Sequence, residues 1–236
     1  MTGRDGASDG LAPHVLVEPF IEHQGERGRF WLRKPRKVGE RLVIAREGAV
    51  VGGASGGRTI IRLDARRAFG TGGHGTTEGC LLALEKAVRG GETVLDVGTG
   101  TGILAIAARK LGAGRVAAVD IDRAACAEAR RNIASNGIEN GLAVIAGGID
   151  SVRGRFDVVA ANLRTPILVE LLGEIARKLS DRGAAILSGI LEREIHAFLP
   201  CVESASLELL DLARIRGWMT LVAAARCAGL RSRFRQ

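Results

Sequence analysis

The sequence predicts an α/β fold: a seven-strand, mostly parallel sheet with helices on both faces, preceded by a small β-rich leader. Three observations carry that expectation. An apolar run, Val94-Leu95-Asp96-Val97, passes into a glycine turn, Gly98-Thr99-Gly100-Thr101-Gly102, and a helical pattern opens directly after it. From Thr93 onward, short β-type runs alternate with helical patterns, as in a parallel sheet covered on both faces. Two polar residues, Asp120 and Asn162, each follow such a run, at the carboxyl ends of strands where open α/β sheets bind ligands.

The elements follow in chain order. Residues 1–12 are rich in Gly, Asp and Ser and are expected to be disordered. Residues 13–65 form a linker-like β region with short runs at Val15–Val17, Phe30–Leu32, Arg41–Ala45 and Thr59–Leu63. Within it, Lys34-Pro35-Arg36-Lys37 reads as a basic turn, and Gly52 to Gly57 as a hairpin loop. Its core is too small to stand alone, so it should pack against the main domain, residues 66–225. That domain begins with a glycine-rich loop, Ala68 to Thr77. A helix follows, with Cys80, Leu81, Leu84 and Val88 at helical spacing and Thr76 or Thr77 as its cap.

After the central strand come helix Ile103–Lys110, strand Val116–Asp120, helix Arg123–Asn136, and strands Leu142–Ile145 and Phe156–Ala161. Helix Ile167–Leu179, a turn at Asp181-Arg182-Gly183, strand Ala184–Leu187 and helix Glu192–Leu199 lead to two closing strands, Leu207–Ala213 and Trp218–Ala225. These last two lie too close for a crossover helix and should be antiparallel. Residues 226–236 form a basic tail, read as a solvated end.

Composition narrows the function. The net charge of +8 would suit an acidic or RNA-rich partner, but there is no tyrosine and only 3% aromatic residues. Base-stacking platforms are therefore scarce, which disfavours direct nucleic-acid binding. No apolar run is long enough to span a bilayer, and the N-terminus has no apolar signal segment, so a cytoplasmic protein without membrane contact is expected. The four cysteines show no C-x-x-C spacing and read as reduced thiols; the four histidines show no metal-ligand spacing, so no metal is expected.

The glycine turn points to a nucleotide-like ligand within reach of backbone N–H groups at a helix N-terminus. It is not the dinucleotide pattern, because Ile103 stands where the third glycine of G-x-G-x-x-G would fall, and no P-loop run occurs. With Asp96 before it the turn reads D-x-G-x-G-x-G, and Asp120 sits where an acid can bind two ribose hydroxyls. Together these features resemble the S-adenosylmethionine-binding half of a Rossmann-like class I methyltransferase. Alternatives stay open on this pattern: a nicotinamide-dependent oxidoreductase, disfavoured by Ile103, or a tight turn in another α/β protein.

The segments AFGTGGHGTTEGCLLALE, VLDVGTGTGILAIAARKLGA, VDIDRAACAEARRNIASNG, FDVVAANL and ILSGIL resemble the ribosomal protein L11 methyltransferase family, in order and at similar spacing, over Thr59 to Ala225. The resemblance implies a seven-strand fold, S-adenosylmethionine as cofactor, and N-methylation of lysine or α-amino groups of a ribosomal protein. It also implies site residues. Thr77, Gly98, Gly100, Gly102 and Asp120 would contact the cofactor, with Phe69, Thr71 and His74 in the loop that closes over it. Asn162 would sit near the methyl group and the acceptor nitrogen, and His74 is a candidate proton acceptor. Two departures bear on the substrate. Where the family usually carries a recognition domain, the residues before Thr59 resemble its linker, and Leu163-Arg164-Thr165-Pro166 follow Asn162 where relatives favour small or apolar residues. Methylation of another protein, such as an electron-transfer flavoprotein subunit, or of a small molecule, and a non-catalytic ribosome-binding module, remain the alternatives.

Overall fold

The structure, a computed structural model, describes residues 34–51, 56–64 and 72–226. The runs at Val15–Val17 and Phe30–Leu32, the N-terminal disorder and the tail beyond Arg226 lie outside the described residues.

The leader forms a three-strand sheet of β1 (Arg36–Val38), β2 (Leu42–Arg46) and β3 (Thr59–Leu63), in that order. Two expectations are corrected here. Arg36 and Lys37 form a strand instead of a basic turn: they pair antiparallel with Ile44 and Val43, which lets Val38 bury its side chain. β2 and β3 pair parallel, so they are not the two arms of a hairpin. The parallel register sets Ile44 beside Ile61, both fully buried on the face turned toward the main domain. Burial of this kind is worth about 1.5–3 kcal/mol per large aliphatic side chain.

Helix α1 (Gly75–Ala87) follows, then β4 (Thr93–Val97), α2 (Ile103–Leu111), β5 (Arg115–Asp120), α3 (Arg123–Ser135), β6 (Leu142–Ala146), β7 (Phe156–Asn162), α4 (Thr165–Lys178), β8 (Leu179–Leu191), α5 (Ile195–Ser204), β9 (Leu207–Ile215) and β10 (Trp218–Ala225). The seven strands from β4 form one sheet in the order β6-β5-β4-β7-β8-β10-β9. β10 is antiparallel to both β8 and β9, and the remaining pairs are parallel. Alternation along each strand decides which residues face which layer. Val94, Val158, Ala160 and Ile186 pack with α1, α2 and the leader sheet on one side; Leu95, Val159, Ala161 and Leu187 pack with α4 and α5 on the other.

The turn expected at Asp181-Arg182-Gly183 is instead a bulged stretch within β8. Leu179 pairs with Phe156 and Ala184 with Val158, so the intervening residues are accommodated out of register. Gly183 permits it, because a Cβ there would fall 2.7 Å from the Phe156 carbonyl oxygen. A short 3-10 turn, Glu192–Glu194, occupies the expected start of the last helix and delays it to Ile195. Among the described residues no helix is long and apolar enough to cross a membrane, and Cys80, Cys126 and Cys201 are free thiols.

Candidate functional site

The chain runs from β4 outward through β5 and β6, then returns across β4 to β7. That reversal leaves a crevice beyond the carboxyl ends of the strands. A cavity of about 800 Å³ lies there, walled by Gly98, Thr99 and Gly100, by Asp120 and Ile121, by Asn162, and by His74 and Trp218.

The glycine turn bends with left-handed φ values of +72° at Gly98, +54° at Gly100 and +83° at Gly102, which favour glycine. Its amides are committed inside the protein. Gly98 N and Thr99 N donate to Val119 O (2.9 and 3.0 Å), Gly102 N to Thr99 O (2.8 Å), and Gly100 N to Asp120 Oδ2 (3.0 Å). With these four amides bonded internally, what Gly98 and Gly100 offer a ligand is close approach of the backbone. A Cβ on Gly98 would lie 2.4 Å from Leu163 Cδ2, another residue of the cavity wall. Gly102 does not line the cavity; a Cβ there would meet Ala129 of α3 at 3.2 Å, so this glycine serves helix packing.

Two carboxylates brace the turn. Asp96 is fully buried at the end of β4. Its Oδ2 accepts from Thr99 Oγ1 (2.6 Å) and from Ala105 N (3.1 Å) in the first turn of α2, while Oδ1 has no partner. Burial pushes this carboxyl up to about 6; the bonds from Thr99 and Ala105 oppose the rise, and the nearby Asp120 charge adds to it. Asp120, at the tip of β5, accepts from Gly100 N through Oδ2 and from Asp122 N through Oδ1 (3.0 Å each). A carboxylate oxygen has two lone pairs, so both oxygens retain acceptor capacity toward the cavity.

The N-terminus of α1 forms the opposite wall. The cap is His74, not Thr76 or Thr77, which lie inside the first helical turn. The His74 backbone is extended, and its Nδ1 accepts from Thr76 N (3.4 Å) and lies 2.9 Å from Thr76 Oγ1. Burial, and then the Arg216 charge, hold the imidazole below its ordinary pKa, so it is neutral near pH 7. With Nδ1 accepting, its proton sits on Nε2. The ring packs against Trp218, centroids 4.7 Å apart. Glu78 pairs with Arg36 (2.5 Å) and with Arg216, and both arginines also donate to Gly73 O (3.4 and 3.0 Å). The start of α1 is thus tied to β1 and to the β9–β10 turn.

Asn162 closes β7. Its Nδ2 donates to Thr77 Oγ1 at 3.4 Å, a long bond, and its Oδ1 has no partner among the described residues. Thr77 is fully buried and supports Asn162 from behind, whereas Thr76 reaches the cavity wall. The next residue, Leu163, donates its N–H to Ser188 O (3.0 Å). Gly189 (φ +95°) allows this approach, because a Cβ there would fall 2.1 Å from Leu163 O. Of the sequence-predicted residues, the structure gathers His74, Gly98, Gly100, Asp120 and Asn162 on one cavity. Phe69 and Thr71 lie outside the described residues.

Several lining residues escaped the sequence reading. Ile121 is 85% exposed at the cavity, a large apolar side chain held in water beside Asp120. The signal was present, since an apolar residue between two aspartates at a strand tip has no core to enter. Trp218, Gly147 and Gly148 gave no signal. Arg164, the N-cap of α4, and Glu170, within its second turn, line the cavity with side chains that have no ion-pair or hydrogen-bond partner among the described residues.

Comparisons with known proteins agree with this architecture. Residues 27–226 match the model of the family described as ribosomal protein L11 methyltransferase (PrmA). A ribosomal protein L11 methyltransferase from Pelotomaculum thermopropionicum is 41% identical over 191 residues, covering 80% of this chain and 62% of the relative. One from Caldicellulosiruptor bescii is 41% identical over 175 residues, covering 72% of this chain and 56% of the relative. The match thus spans 62% and 56% of the length of these two curated relatives. The crystal structure of a ribosomal protein L11 methylase from Lactobacillus delbrueckii subsp. bulgaricus superposes with a TM-score of 0.77 at 33% identity, over 82% of this chain and 100% of that one.

Proposed function

The chain belongs to the ribosomal protein L11 methyltransferase family, and from that premise we propose that it transfers a methyl group from S-adenosylmethionine to an amino nitrogen of a protein, a ribosomal protein of the L11 type. The observation that carries the reading is the meeting of Asp120 and Asn162 on one cavity at the point where the strand order reverses. Such a protein acts in the cytoplasm, where ribosomal proteins are found.

The residues present fit that cofactor. A dinucleotide needs donors for its pyrophosphate, and Gly98, Thr99, Gly100 and Gly102 have none to give. An adenosine without phosphates needs an acceptor for ribose hydroxyls, a close backbone and an apolar wall. Asp120, Gly98 and Ile121 supply these three. When bound, S-adenosylmethionine supplies a methyl group activated by a sulfonium.

The protein's task is then alignment, which can contribute about 7–11 kcal/mol when nucleophile and methyl are held at near-attack geometry. The acceptor amine must be neutral: at pH 7 this costs about 4.6 kcal/mol for lysine and about 1 kcal/mol for an α-amine. Asn162 Oδ1, unpartnered in the cavity wall, accepts an N–H of the amine and turns its lone pair toward the methyl. Nδ2 is meanwhile held by Thr77. His74 serves as a helix cap and a Nε2–H donor instead of a base, because its Nδ1 is already occupied. The amine proton leaves to water.

Incubation with methyl-labelled S-adenosylmethionine and two acceptor pools, ribosomal proteins and small metabolites, tests the reading. Label on one ribosomal protein is expected. Label only on small molecules overturns the substrate, and absence of cofactor binding by calorimetry overturns the chemistry.

A further inference from the structure

Asn132 lies in the last turn of α3 and Asn136 caps that helix one turn later; Asn136 bonds to Arg62 of β3 and Asn132 to Asp64 just past the strand's end. β3 is the last strand of its sheet, so side chains and not another strand bond its outer edge: Lys110 Nζ donates to Ile60 O (2.8 Å). Asn136 bonds to this edge and to its own helix. Its Oδ1 accepts from Arg62 N (2.9 Å), and its Nδ2 donates to Arg62 O (2.6 Å) and to its own helix at Asn132 O (2.7 Å). Asn132 does something different. Its Oδ1 accepts from Asp64 N (2.9 Å), and its Nδ2 donates to Thr101 O (2.8 Å) in the glycine turn. One neighbour is a donor and the other an acceptor, so only this orientation of the amide satisfies both. The side chain is 1% exposed, and no water competes for these bonds.

We propose that Asn132 is a positioning residue for the cofactor turn. It couples the end of β3 to the Thr101 carbonyl, so that the leader sheet and the cofactor site are felt by each other through one buried amide. The inference rests on the reading that this turn holds S-adenosylmethionine. Any differential effect of the cofactor on Thr101 must reach Asp64, and any displacement of Asp64 must return as a change in cofactor affinity.

Asn136 is the internal control, because it holds the same strand without touching the turn. Asn132→Asp keeps the acceptor for Asp64 N but sets a carboxylate oxygen against Thr101 O. It is expected to raise the Kd for S-adenosylhomocysteine about tenfold, with turnover at saturating cofactor changed less than about threefold. Asn136→Asp should lower Tm comparably yet leave that Kd within about twofold. A role confined to folding would move both variants alike, so equal Kd values for the two overturn the inference.

Should Asn132→Asp not fold, hydrogen exchange on the unmodified protein decides. Adding S-adenosylhomocysteine should slow the Asp64 amide together with the turn and leave the Arg62 amide unchanged. An Asp64 amide indifferent to the ligand overturns the coupling. Absence of S-adenosylhomocysteine binding to the unmodified protein overturns the cofactor reading as well, which separates the two failures.

Discussion

At the glycine-turn end of the cavity, four backbone amides, the Thr99 hydroxyl and both oxygens of Asp120 are bonded within the protein. At the Asn162 end, its side-chain carbonyl and the side chains of Arg164 and Glu170 have no partner among the described residues, and the Asn162–Thr77 bond is long. The first end is organised within the protein itself; the second keeps polar side chains available to a ligand. This contrast predicts that damage at the two ends will separate into affinity and turnover, since interactions made only in the transition state change kcat alone.

The contrast is sharpened first by the one orphan at the organised end. Asp96 carries a buried oxygen without a partner, and its carboxyl is held near 6 against an ordinary 3.8. A raised acid favours the protonated fold, so its stabilising contribution is full below about pH 3.8 and is lost as pH rises through about 6. The span corresponds to roughly 3 kcal/mol. Asp96→Asn should therefore gain stability relative to the parent by about that amount between pH 4 and pH 7. Urea unfolding at both pH values checks it, and a constant difference between the two chains would remove the orphan's role. The next effect falls at the opposite end. Gly189→Ala drives a Cβ into the Leu163 carbonyl and shifts the neighbouring Asn162. A displacement of about 1 Å is expected to lower kcat about a hundredfold while cofactor affinity holds. Steady-state kinetics beside calorimetry would show it, and a loss of affinity in place of kcat would break the contrast.

The sequence revealed the organised end more fully than the open one, for physical reasons. Glycines, a buried acid and a polar residue at a strand tip are local signals, and Gly98, Asp96, Asp120 and Asn162 stand where those signals place them. The cap at His74 was hidden because Thr76 and Thr77 have the chemistry of a cap, and only backbone dihedrals decide which residue stands outside the helix. The parallel pairing of β2 with β3 was hidden because a glycine-rich connection looks alike in a hairpin and a crossover. Asn132 and Asn136 were hidden because an asparagine on a helix reads as solvated, and their partners lie about 70 residues away. Trp218 reaches the cavity from the last strand, where spacing says nothing about distance.

The most direct test takes one residue from each end. Asp120→Ala removes the acceptor of Gly100 N and the proposed ribose acceptor, and should weaken S-adenosylmethionine binding tenfold or more, with turnover recovered at saturating cofactor. Asn162→Ala should cut turnover about tenfold or more and leave cofactor Kd within about twofold. Calorimetric Kd values and single-turnover rates for both variants would support the account if the effects separate in this way. Equal losses of cofactor affinity in the two would contradict it.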